Sequence, residues 1–171
     1  ASHQYDAVDQ DAAPLLFHQQ LEALHADAQW AISHTTCQDG GASVAEAIRQ
    51  GTLLAVGDGS LKGGFGTSGF ALEAPNQVQN RIQGVNIVPG PLEEEDSHRC
   101  ELTSIYAILL LGDTVCKTHG ITHGLATIAC DNKQAISMLD PRHIPDPQDR
   151  NFDLVSAIWK LLQLSPIQWK H

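Results

Sequence analysis

The chain has 171 residues, 42% of them hydrophobic, enough for one well-buried core and short for two. Ten Lys and Arg stand against 20 Asp and Glu, a net charge of -10, so the basic footprint of a protein that grips nucleic acid tightly by itself is missing. Its longest apolar stretch, Ile105 to Leu111, is far too short to span a bilayer, and the start is polar and acidic rather than basic then apolar. Four cysteines, Cys37, Cys100, Cys116 and Cys130, form no C-x-x-C pair and read as free thiols of a soluble intracellular protein, or of an excised piece of one.

In chain order, residues 1–12 lack periodicity and read as a linker. Phe17, Leu21, Leu24 and Ala28 recur at i, i+4, i+7 and i+11, which predicts one amphipathic helix over Pro14 to Ala28. That helix needs a partner surface, either this domain or one upstream. Asp39-Gly40-Gly41 is a turn, and Ser43-Val44-Ala45-Glu46 has a capping-box pattern opening a short helix that ends at Gly51. The period then becomes extended: Thr52 to Gly57, a glycine turn at Lys62-Gly63-Gly64, Gly66 to Glu73, and Ile82 to Val88 make a three-strand meander closed by Pro89-Gly90-Pro91. The run Glu93-Glu94-Glu95-Asp96 reads as a solvated loop that favours the N-terminus of the next helix, Ser97 to His119, where Leu102, Ile105, Leu109 and Cys116 keep one face apolar and Gly120 stops it. Gly124 to Cys130 is a buried strand, Asn132 to Leu139 a short helix, 140–148 an irregular crossover, 151–163 a helix, and Ile167 to Lys170 a last strand. We divide this into an N-terminal extension (1–42) and a domain (43–171) of α/β class, its later strands parallel to the first through right-handed crossovers.

Three acidic motifs carry the chemistry: Asp58-Gly59-Ser60, Ser97-His98-Arg99-Cys100-Glu101-Leu102, and Ala129-Cys130-Asp131-Asn132. Apolar runs lead directly into Asp58 and Asp131, placing each at or near the end of a buried strand, and Glu101 falls in the opening turn of the long helix. Three carboxylates on different elements can converge on a cation. Hard oxygen donors suit Mg²⁺ or Mn²⁺, and paired metals about 3.5–4 Å apart clamp the attacking and leaving oxygens of a phosphodiester. Each motif also has a plain reading: Asp-Gly-Ser is a common turn, Glu101 favours a helix dipole, and Asp131-Asn132 can cap the following helix. Cys100 and Cys130 read as small core residues, and His119 and His123 as loop histidines.

At these residues the chain resembles the ribonuclease H family, in particular the ribonuclease H-like domains attached to retroelement reverse transcriptases. The matching stretches are Val56-Gly57-Asp58-Gly59-Ser60, Gly63-Gly64-Phe65-Gly66-Thr67, Ser97 to Leu102, and Cys130-Asp131-Asn132, within roughly residues 44–171. The resemblance implies a mixed five-stranded sheet with helices on both faces, two divalent cations, and hydrolysis of the RNA strand of an RNA/DNA hybrid. It makes Asp58, Glu101 and Asp131 the metal-binding carboxylates, with Gly59, Ser60, Lys62, Asn132 and Lys133 beside them where the family meets the substrate backbone. The family's fourth carboxylate lies beyond the last strand, opening a further helix; the sequence stops at His171, so the resemblance implies that this helix is missing and that catalysis is impaired. Two other functions compete: a non-catalytic ribonuclease H-like scaffold or protein-interaction domain, favoured by the acidic balance, and another phosphoryl-transfer enzyme of the same fold, such as a transposase or exonuclease.

Overall fold

The computed structural model describes residues 12–89 and 96–171. The first eleven residues, most of the acidic run and the Gly90-Pro91 step lie outside them.

Two short helices, α1 (Ala13–Glu22) and α2 (Ala26–Ile32), replace the single helix read from the sequence. The apolar positions keep helical spacing, but the backbone breaks at Ala23 to His25. There the His25 side chain accepts the Asp27 amide at 3.2 Å, and the Gln29 amide donates to the released carbonyls of Leu21 and Leu24, both at 2.9 Å. Phe17, Leu21, Ala28 and Ile32 join the main core, so this helical pair packs on the domain rather than elsewhere. After it comes β1 (Thr35–Thr36), then α3 (Ala42–Gln50). The N-terminus of α3 is organised by Asp39 rather than by the Ser43/Glu46 box. Asp39 Oδ2 accepts from Ser43 N (2.9 Å) and Oγ (2.7 Å), and Oδ1 from Gly41 N (3.0 Å). Glu46 turns instead to Gln50 and Arg49.

The meander is β2 (Leu53–Lys62), β3 (Phe65–Glu73) and β4 (Ile82–Ile87). After it come α4 (Ser97–His119), β5 (Gly124–Ala129), α5 (Lys133–Ser137), α6 (Phe152–Leu164) and β6 (Ile167–Lys170). The sheet order is β1-β4-β3-β2-β5-β6, with β1 to β4 joined antiparallel and β2, β5 and β6 parallel. An antiparallel meander followed by parallel strands is the arrangement the resemblance implies. The sheet has six strands and not five: Thr35 and Thr36 pair with Gly84 and Gln83 at the outer edge, a two-residue contact too short to leave a period in the sequence.

Strand β2 is longer than expected. Its pairing with β3 continues to Lys62, held by a turn whose Gly63 and Gly64 have φ of 57° and 81°, while its pairing with β5 stops at Val56. Leu53, Ala55 and Gly57 face α4; the alternate residues Leu54 and Val56 are exposed, as are Val85 and Ile87 of β4. The expected single apolar face of α4 is instead a helix buried almost all round, because α1, α2, α3, α6 and the sheet all pack on it. Gly120, in the left-handed region at φ 66°, stops it as predicted.

Asp113 lies on the side of α4 that meets the end of α6. Its Oδ1 is buried without a hydrogen-bond partner, and burial pushes the carboxyl up to about 6 against the opposing pull of Lys117 and a hydrogen bond from Ser165. Beside it the Trp169 ring of β6 lies over Gly112, where a Cβ would come within 2.7 Å of Cζ2. All four cysteines are free thiols, and among the described residues no helix is long and apolar enough to cross a membrane.

Candidate metal centre

The sheet register brings the two aspartates to the same end of neighbouring strands. Val56 pairs with Ala129 across the parallel β2/β5 contact, and each chain runs two residues further in the same direction to Asp58 and Asp131. Asp58 is still within β2, opposite Gly69 of β3, but just past the end of β5, so a notch opens between the two strands there. Both aspartates are exposed.

Glu101 reaches the same end through a close backbone approach. A Cβ on Gly59 would sit 2.5 Å from the carbonyl carbon of Cys100 and 2.6 Å from the amide nitrogen of Glu101, so glycine is needed for β2 to touch the first turn of α4. Gly57 does the same against Ser104, whose Oγ a Cβ would meet at 2.5 Å. Glu101 is 9% exposed, and its Oε2 accepts the Cys130 thiol at 3.1 Å. Burial, the Glu101 carboxylate and the charge of Asp131 push the Cys130 thiol up to about 11, while the Asn132 backbone N–H pulls it down. The sulfur is therefore protonated at neutral pH and able to donate.

Among the described residues, no three His, Cys, Asp or Glu side chains are close enough together to hold a metal ion. The donor types fit a hard divalent cation, and the Gly59 contact delivers them to one end of the sheet, but the side chains are not drawn into a ligand set. Of the flanking residues, Ser60 and Lys62 follow Asp58 on the same side of β2, half-buried and exposed respectively. Asn132 caps α5, its Oδ1 accepting Ala135 N at 2.9 Å, and Lys133 is exposed in the first turn of that helix. The capping reading of Asn132 is thus correct.

Two residues matter more here than their sequence context indicates. Arg99 is 5% exposed and clamps the start of α4: its fork meets both oxygens of Asp153 (2.9 and 2.7 Å), Asn151 Oδ1 at 3.2 Å, and the Pro89 carbonyl at 2.7 Å. The guanidinium holds the Asp153 carboxyl below its usual range. Asp153 is thereby engaged in structure. Cys130, expected to be core filling, does pack against the core and also bonds to a candidate ligand; a cysteine directly before a strand-end Asp was the one visible sign of the second role.

No protein-family model matches the chain, and no curated protein does. Solved structures similar to it include ribonuclease H1 from the halophilic archaeon Halobacterium salinarum, 15% identical over 69% of this chain and 81% of that one, with a TM-score of 0.45. Another is the N-terminal RNase H domain of a Mycobacterium tuberculosis protein, solved as a fusion with maltose binding protein, 14% identical over 68% and 80% of the two chains, with a TM-score of 0.44. Both similarities are weak, and the reading of the site rests on its own residues.

Proposed function

We propose that this chain is a metal-dependent endoribonuclease that hydrolyses the RNA strand of RNA/DNA hybrids, working as the ribonuclease H portion of a reverse transcriptase. What supports this reading is the close backbone contact of Gly59 with the first turn of α4, which brings the segments carrying Asp58 and Glu101 together at the end of the sheet where β5 leads into Asp131. Mg²⁺ or Mn²⁺ held by these three carboxylates would activate a water and stabilise the departing 3′-oxygen. Glu101, buried and hydrogen-bonded, is the most fixed of the three; Asp58 and Asp131, exposed, are free to turn toward a cation. Ser60 and Lys62 extend along β2 where a backbone phosphate would lie. In this reading Asn132 and Lys133 meet the 2′-hydroxyl side of the hybrid, the feature that tells RNA from DNA. The division at residue 42 is functional in this proposal: every assigned residue falls in 43–171.

The test is cleavage of a labelled RNA/DNA hybrid in Mn²⁺. Cleavage by the chain, reduced to background by Asp58→Asn, supports the reading; cleavage that survives Asp58→Asn removes it. A second reading, a non-catalytic scaffold with a ribonuclease H-like fold, is favoured by the separated carboxylates and the net charge of -10. It predicts neither cleavage nor Mn²⁺ uptake.

A further inference from the structure

We infer that Cys130 is a positioning residue, whose thiol fixes the Glu101 carboxylate relative to the turn that carries Asp131 and so sets the affinity of this end of the sheet for a divalent cation. The sulfur donates to Glu101 Oε2 at 3.1 Å. One hydrogen bond thus links the first turn of α4 to the turn after β5, and it leaves that turn one residue before Asp131. Among the described residues no hydrogen bond to Glu101 Oε1 is formed, which in this inference leaves that oxygen for a cation. Hydrogen-bond partners of ligating carboxylates orient them, and losing such a partner typically costs about 10–100-fold in metal affinity.

Size and polarity separate in substitutions at this position. Cys130→Ser keeps a donor and an acceptor; Cys130→Val fills the thiol's space with no donor; Cys130→Ala removes both bulk and donor. The inference rests on the proposed metal reading, so the first measurement is Mn²⁺ uptake by the full wild-type chain, followed by loss of the free-ion paramagnetic resonance signal. Melting temperature in chelator is measured alongside. We expect Cys130→Val to weaken Mn²⁺ binding about tenfold or more, Cys130→Ser to stay near wild type, and the metal-free melting temperatures of the two to differ little. Wild-type binding matched by Cys130→Val overturns the positioning role and leaves the metal site standing. A loss in Cys130→Ser equal to that in Cys130→Val overturns it too, since the donor would then be irrelevant. Should Cys130→Ala or Cys130→Val lower the metal-free melting temperature in step with its Mn²⁺ affinity, the residue is filling space and no more. Failure of the wild type to take up Mn²⁺ overturns the metal reading and this inference together.

Discussion

Single residues set the tolerances of this molecule. Gly59 has no room for even a methyl group between β2 and the first turn of α4. Gly59→Ala should cost about 1–3 kcal/mol by overpacking and should weaken Mn²⁺ binding as well, because it wedges Asp58 away from Glu101. Urea unfolding and a metal titration on the same variant read the two effects. Asp113 has a different liability. Its folded carboxyl is raised to about 6, above the ordinary unfolded value, so the folded state holds the proton more tightly. Its stability contribution is complete below the unfolded value and is lost as pH rises through about 6. Asp113→Asn keeps the shape without the ionisation. It should therefore melt higher than wild type at about pH 8, and the difference should close toward about pH 4.

Among the elements, α4 organises everything else, and Arg99 fastens its start to α6. Arg99→Lys replaces a planar fork with one point charge and cannot hold both Asp153 oxygens, Asn151 and Pro89 together. The expected loss is about 1–3 kcal/mol by urea unfolding. Part of what Arg99 supplies depends on an ionised Asp153, whose carboxyl is held low. That part is present above the ordinary carboxylate value and should vanish as pH falls below it, narrowing the gap between Arg99→Lys and wild type. Elements with strong local signals were legible in the sequence. The bounds of α4 follow from Asp96, whose side chain accepts Arg99 N, and from Gly120, and the first hairpin of the meander follows from its Gly63-Gly64 turn. What escaped depends on distant partners. Two threonines become a sixth strand only because β4 offers a free edge, and the Arg99 fork closes on residues more than fifty positions away. The site divides the same way: Asp58, Glu101 and Asp131 each stand where an apolar run meets a polar one, but nothing local shows that a thiol joins Glu101 to the turn beyond β5.

For the whole molecule, a net charge of -10 opposes both a polyanionic substrate and the gathering of three of its own carboxylates. Cations that relieve this should stabilise the fold by mass action, by about 2.7 kcal/mol at a hundredfold excess over Kd. A rise in melting temperature with Mn²⁺, reversed by chelator and absent in Asp58→Asn, is the expected result; an equal rise in that variant would mean general charge screening. The parallel contact between β2 and β5 also sets an order of events in time. It joins Leu53 to Ala126 across the meander and the 23 residues of α4, so its closure is expected to follow the formation of those local elements. The hairpins are local and quick to form, whereas the notch between Asp58 and Asp131 exists only once the longest loop in the sheet has shut. In a refolding experiment, regular backbone structure should therefore return ahead of Mn²⁺ affinity, and the interval between them measures how late the molecule acquires its proposed chemistry.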